Sequence, residues 1–258
     1  MSKLKIPIPI YCINLQERPD RKKTAINEFK KINIDKNVIF LEFHKHEKGG
    51  RYGCYDSHVK VWYNFYKNHK DKEMCIVFED DFTVTENSET YLKRAIPFIQ
   101  ENRDKIDILF LHDDFIKYNP NYTNRNDINN NYFTNGYGKL AHAYIITRKY
   151  IKSIIKKTKN NLLEQLETNF DIDMNFNKNN LLYSENFYFC NEVVFLQDNN
   201  NKSNNYTHRL EEIIRVNTSN QFMFDLSTSF MKVINFLCGY NDDKTKKIFF
   251  ILNKKYTI

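Results

Sequence analysis

Short apolar runs separated by stretches with helical spacing dominate the chain. The first run, Ile8 to Leu15, is broken only by Asn14 near its end and predicts a strand. Arg18-Pro19-Asp20-Arg21 follows, with Pro19 placed to open a helix. Ala25, Ile26, Phe29 and Ile32 then recur on one helical face. Val38 to Phe43 predicts a second strand, completing a β-α-β unit with a right-handed crossover. After a flexible turn over Gly49 to Gly53, Cys54-Tyr55-Asp56-Ser57-His58 opens a helix running to about Asn68, with Val59, Trp62 and Tyr66 along one side. Further strands are predicted at Met74 to Phe78, Ile106 to Leu111, Ala141 to Ile146 and Phe189 to Gln197. Helices are predicted at Thr90 to Glu101, despite Pro97, and at Arg148 to Lys159. The Asn-rich stretches Tyr118 to Gly138 and Asp198 to Asn205 read as loops, either lids or disordered segments. From His208 onward the pattern is largely helical.

Strand-helix alternation from the start predicts an α/β fold with a mostly parallel, twisted sheet flanked by helices. No break demands two domains. The expectation is one domain over 1–258, with a core to about 205 and a mainly helical extension over about 206–258.

Composition narrows the partners. With 41% hydrophobic residues in 258 the chain can bury a substantial core, and a mean hydropathy of -0.66 leaves a very polar surface. A net charge of +7 suits an anionic partner. The lysines are spread along the chain with no arginine-rich block, so a dedicated nucleic-acid module is not expected. Five widely spaced cysteines without a C-x-x-C read as reduced thiols. Neither a long apolar amino-terminal stretch nor a run near membrane-spanning length is present, which sets the expectation of a cytoplasmic protein without a membrane span.

Glu79-Asp80-Asp81 carries the candidate chemistry. Three carboxylates arrive together at the carboxyl end of a strand, where α/β sheets place their ligands. Like charges about 4 Å apart repel by roughly 4 kcal/mol at an effective dielectric near 20. The triplet therefore needs water, cationic side chains or a hard divalent cation such as Mg²⁺ or Mn²⁺, which takes carboxylate oxygens and leaves positions for substrate phosphates. A solvated acidic turn is the plain alternative. His112-Asp113-Asp114 is a second acidic cluster and a rival metal site, and His142 and His208 are candidate completing ligands. A P-loop, a G-x-G-x-x-G after the first strand, a G-x-S-x-G and an H-E-x-x-H are all missing.

Four stretches together resemble one family, the family 25 glycosyltransferases, which include lipooligosaccharide and procollagen galactosyltransferases. Ile13-Asn14-Leu15-Gln16-Glu17-Arg18-Pro19-Asp20-Arg21 resembles the family's opening I-N-L-x-x-R-P-D-R. Gly53-Cys54-Tyr55-Asp56-Ser57-His58, with Trp62 beyond, resembles G-C-x-x-S-H-x-x-x-W. Phe78-Glu79-Asp80-Asp81 matches L-E-D-D, and Ala143-Tyr144-Ile145-Ile146-Thr147-Arg148 is similar to A-Y-x-I-[ST]-R. A fifth match sets Asp173 at the aspartate of the family's P-V-D, with the proline replaced, and Gln197 aligns with a glutamine near the domain's end.

The resemblance implies a GT-A-type fold and a metal-dependent, inverting transfer of galactose or glucose from a UDP-sugar to an acceptor hydroxyl. The acceptor would be a glycan or a collagen-like polypeptide, and the ion Mn²⁺ or Mg²⁺. It casts the triplet as the D-x-D feature with Glu79 and Asp81 as its metal-binding outer pair. Asp80 and Glu79 bind the ion through water or hold donor hydroxyls. Asn14, Leu15 and Arg18 would lie beside the donor nucleotide. Ser57 and His58, expected at a helix start, would contact the diphosphate or steady the acid loop. Asp173 is the expected base, with Asp171 and Asp113 as rivals. A noncatalytic protein keeping this fold as a binding module and, further off, a nucleic-acid-binding protein are the alternative readings.

Overall fold

Two neighbouring inner strands of the sheet are apolar on both faces. The computed structural model describes residues 6–112, 131–136, 140–158, 172–176 and 180–197, and of Asp173 and Met174 only the backbone. The chain divides into two compact units, Met1–Asp198 and Asn199–Ile258, and the described residues all belong to the first. The expected helical extension and second Asn-rich loop lie outside the described residues.

The elements run β1 (Ile10–Leu15), α1 (Pro19–Lys31), β2 (Val38–Phe43), α2 (Gly50–Asn68), β3 (Met74–Glu79), β4 (Phe82–Val84) and α3 (Ser88–Glu101). They continue with β5 (Ile108–Phe110), β6 (Phe133–Asn135), β7 (Ala143–Thr147), α4 (Arg148–Lys157), the single turn α5 (Ile172–Asn175), β8 (Phe187–Cys190) and β9 (Phe195–Gln197). Seven strands form one sheet in the order β2-β1-β3-β7-β5-β8-β6, and β4 pairs with β9 in a small second sheet. The pairs β1–β2, β1–β3 and β5–β8 are parallel; β7 and β6 run against their neighbours. Five of the seven strands thus share a direction, and the single inversion at β7 is what makes the sheet mixed at its centre.

Side-chain alternation sorts the interior into two layers. Ile10, Cys12, Ile76 and Phe78 pack with Phe29 of α1 and with Leu92 and Ile99 of α3. Tyr11, Ile13, Cys75 and Val77 pack on the other face with Val59, Trp62 and Phe65 of α2 and with Ile151 and Ile154 of α4. A strand covered on both sides reads as an unbroken apolar run, which is why β1 and β3 stood out in the sequence.

Three expectations change. The helix expected from Cys54 begins four residues earlier, at Gly50, because Gly49 at φ 98° turns the chain directly into it. Gly53 lies in its first turns, where an added Cβ would fall 2.9 Å from His46 Cβ. The stretch read as a structureless loop over 118–138 contains β6, whose Phe133 is buried against Phe98 and Tyr91. The strand expected over Phe189 to Gln197 is two strands, β8 and β9, in different sheets.

Arg148, at the head of α4, closes the far end of α2. Its Nε donates to Lys72 O at 2.6 Å and its guanidinium nitrogens to the carbonyls of Tyr66 (3.0 Å), Phe65 (3.4 Å) and His69. The ring of Phe65 lies under the cation at 4.7 Å. One side chain thus satisfies the last carbonyls of the helix and opposes its negative end. Arg148→Ala is expected to lower stability by about 2–3 kcal/mol, since bonds to a charged group are each worth about 1.5–3 kcal/mol and only part is recovered by water. A urea titration checks this: the midpoint should fall with the slope unchanged.

Candidate active site

The acids sit where β1 and β3 end side by side. Parallel pairing sets Ile13 opposite Glu79, so Asn14 comes level with Asp80. Alternation then separates the three carboxylates. Glu79 continues the Cys75–Val77 face toward α2, and Asp80 continues the Ile76–Phe78 face toward α1. Asp80 and Asp81 make the turn into β4, and Phe82 pairs with Gln197 of β9.

Each acid meets donors from a different element. Glu79 Oε1 accepts from His58 Nε2 at 3.0 Å and from Cys54 Sγ at 3.3 Å, both on α2, and the Glu79 N–H donates to His142 O at 2.9 Å. His58 is fully buried, with Nδ1 2.7 Å from the Tyr144 hydroxyl. Asp80 accepts from Asn14 Nδ2 at 2.6 Å and from Arg21 at 3.3 Å. Asp81 lies 3.7 Å from the same Arg21 nitrogen and accepts from Gln197 Nε2 at 3.4 Å. Three buried polar atoms here, Asn14 Oδ1, Arg21 Nε and Asp81 Oδ1, have no hydrogen-bond partner among the described residues. Buried polar atoms are normally satisfied, so three orphans in one corner mark a place shaped for a polar ligand.

The electrostatics agree. Burial raises Asp81 to about 7, with the Glu79 and Asp80 charges adding to it against the pull of Arg21 and Gln197. Burial likewise raises Asp80, opposed by Asn14 and Arg21. Glu79 differs: burial pushes its carboxyl up, but the hydrogen bonds of His58 and Cys54 outweigh this and hold it below its ordinary value. A hard divalent cation fits this corner. The unpartnered Asp81 Oδ1 supplies a carboxylate oxygen of the kind Mg²⁺ and Mn²⁺ prefer, and positive charge there would offset the burial and repulsion that raise Asp81. Cys54, His58 and Glu79 form a second grouping, with ligand atoms within 4.8 Å of one another.

Of the residues singled out from sequence, Asn14, His58, Glu79, Asp80 and Asp81 come together. Leu15 ends β1 beside them. Arg18 contributes its backbone carbonyl to Asn14 at 3.2 Å, but its guanidinium pairs with Asp20 at 2.7 Å on the surface and holds that carboxyl down at about 2. Ser57 and His58 are not at a helix start, since α2 begins at Gly50. Ser57 Oγ donates to Gly53 O at 2.6 Å within the helix, so free N–H groups for an anion are not available there. His142 is buried with Nε2 3.0 Å from Phe195 O, and His112 with Nε2 3.0 Å from Leu140 O. Asp113, Asp114, Asp171 and His208 and the Asp173 side chain lie outside the described residues; the Asp173 backbone is in α5.

Sequence reasoning does not single out Arg21 or Cys54 as parts of the site. Alternation carried past Phe78, with the helix order, would have brought Arg21 of α1 and Cys54 of α2 to opposite sides of the triplet.

The carboxylate cluster lies at a strand's carboxyl end, where α/β sheets place their ligands. The family glycosyltransferase family 25 (LPS biosynthesis protein) matches residues 42–172, half the chain, and the chain belongs to that family. It is a glycosyltransferase, and its fold is α/β, a mostly parallel sheet flanked by helices. No curated protein matches the sequence. Solved structures with some likeness include a glycosyltransferase involved in glycosylation of the major capsid of PBCV-1. It is 8% identical, with a TM-score of 0.41 over 81% of this chain and 100% of that one. Mannose-1-phosphate geranyltransferase from Thermus thermophilus is 8% identical, with a TM-score of 0.44 over 73% and 76%. The galactosyltransferase LgtC, with donor and acceptor sugar analogues, is 9% identical, with a TM-score of 0.32 over 62% and 65%. With TM-scores below 0.5 these add nothing to the assignment, which rests on the family match. Among the described residues no helix is long and apolar enough to cross a membrane.

The raised Asp81 has a measurable consequence. Between its ordinary value of 3.8 and about 7 the folded chain holds a proton that the unfolded chain has lost. Stability from this group is therefore greatest at low pH and falls as pH rises through that window. In a chelator, Asp81→Asn should melt about 3 °C or more above the parent at pH 7.5 and converge with it near pH 4. Scanning calorimetry across that range checks the sign.

Proposed function

We propose that the chain is a metal-dependent, inverting glycosyltransferase that moves galactose or glucose from a UDP-sugar to an acceptor hydroxyl. The acceptor is a glycan or a collagen-like hydroxylysine. The observation that carries the reading is the unpartnered Asp81 Oδ1 beside two further acids at the end of β3, in a chain of family 25.

Charge develops on the departing nucleotide diphosphate as the sugar C1–O bond breaks, and the site must absorb it. A divalent ion held by Asp81 supplies Lewis-acid neutralisation of that charge. Glu79 and Asp80 would hold the ion through water or hold donor hydroxyls, with Glu79 fixed from behind by His58 and Cys54. Arg21, with Nε unpartnered, offers a cation to the diphosphate, and Asn14 Oδ1 offers an acceptor to a uracil N–H or ribose hydroxyl. Inversion requires a base on the face opposite the leaving group, and the family resemblance assigns this to Asp173.

Calorimetric titration with UDP tests the donor half. Binding should depend on Mn²⁺ and be lost when a chelator is added, and Asp81→Ala should abolish the Mn²⁺ dependence. UDP binding indifferent to both removes the reading. Asp173→Asn tests the acceptor half: kcat should fall by about 10²- to 10⁴-fold, the range for a positioned base, with the KM for donor little changed.

A further inference from the structure

We infer that Trp62, Tyr144 and His58 form a one-way hydrogen-bond relay that positions Glu79, fixing His58 as a donor and leaving Asp80 and Asp81 to the incoming ligands. This rests on the function proposed above for its catalytic meaning, though not for its geometry.

The indole decides the direction. Trp62 Nε1 donates to the Tyr144 oxygen at 2.9 Å, and an indole N–H has no acceptor capacity. The Tyr144 hydroxyl must therefore send its own hydrogen elsewhere. It is fully buried, and its other hydrogen-bond partner among the described residues is His58 Nδ1 at 2.7 Å. Tyr144 donates to that nitrogen, so Nδ1 is bare and the imidazole carries its proton on Nε2. Nε2–H then donates to Glu79 Oε1 at 3.0 Å, and the Cys54 thiol donates to the same oxygen at 3.3 Å. One carboxylate oxygen is occupied from the protein interior; Oε2 has no hydrogen-bond partner among the described residues.

The same ordering decides between two uses of the cluster. The ligand atoms of Cys54, His58 and Glu79 lie close enough for a zinc-like site, and Cys, His and carboxylate are the ligands zinc prefers. A metal on His58 Nε2 would force the proton to Nδ1, where it would have to point at Tyr144. The Tyr144 hydrogen would then be left without an acceptor, facing the Trp62 N–H in a dry core. The relay therefore favours the hydrogen-bonded state, and these residues act as positioning residues through Glu79. A second family motif, that around Gly53 to Trp62, thereby gains a physical task distinct from binding the donor.

Long-range ¹H–¹⁵N correlation spectra of the His-labelled full chain test the relay without turnover, with His58→Gln identifying the signal. The expected pattern is a protonated Nε2 and a bare Nδ1, with the Nδ1 resonance shifting in Tyr144→Phe as its hydrogen-bond donor is lost while Nε2 keeps its proton on Glu79. A His58 protonated at Nδ1, or at both nitrogens, overturns the relay; if Tyr144→Phe does not fold, the parent spectrum alone decides. Titration with Co²⁺ is the second arm: a thiolate-to-cobalt absorption band lost in Cys54→Ser would show a metal site instead. In transfer assays His58→Leu should lose about 10- to 100-fold in turnover, the usual cost of removing such a supporting partner. His58→Gln, whose amide can still donate to Glu79, should regain part of it. A protein that moves no sugar yet shows the expected tautomer defeats the proposed function and leaves the relay standing.

Discussion

Mutual repulsion among Glu79, Asp80 and Asp81 is the constraint the structure is built around. Three carboxylates leave one strand end together, and a buried corner offers little water to screen them. The fold answers with donors from different elements: Asn14 from β1, Arg21 from α1, His58 and Cys54 from α2, and Gln197 from β9. Their supply is uneven. Glu79 is met by two donors on one oxygen, Asp80 by an amide and a cation. Asp81 keeps an oxygen with no partner among the described residues and a proton close to neutral pH. The deficit sits at the acid nearest the turn, which is where a cation relieves most.

The division of labour among the acids follows from one-residue steps along an extended chain. Alternation sends Glu79 to the layer of α2 and Asp80 to that of α1, so neighbouring residues of one motif do different things. Glu79 belongs to a relay that reaches through Tyr144 to Trp62. Asp80 and Asp81 share Arg21 and remain available to a ligand. A cluster that looks uniform in sequence becomes an inner support and an outer face.

Much of this was legible beforehand. The apolar runs at Ile8 to Leu15 and Met74 to Phe78 became β1 and β3, inner strands whose coverage on both faces leaves little room for polar residues, and Val38 to Phe43 became the half-exposed edge strand β2. Pro19 opened α1 as its fixed geometry requires. The start of α2 was misjudged because two glycines read equally well as a turn or as a helix entry. Strand β6 was hidden in an Asn-rich stretch because three residues are too few to establish a period, and its place depends on Phe133 meeting residues of α3. The acids stand out at a strand's end and Asn14 in its motif, whereas Arg21, the last residue of the same motif, gives no sign of its partner. Arginine beside aspartate in sequence pairs locally by default, and only the register of β1 against β3 brings Arg21 to Asp80. Cys54 was silent for a similar reason: a thiol acquires meaning from the carboxylate it faces.

A crystal of the full chain grown with UDP and Mn²⁺, with the ion located by its anomalous scattering, bears on the central claim most directly. The account predicts manganese bonded to Asp81 and to the diphosphate, with Cys54 and His58 still hydrogen-bonded to Glu79. Manganese seated among Cys54, His58 and Glu79, or UDP bound with Asp81 facing no ion, would contradict it.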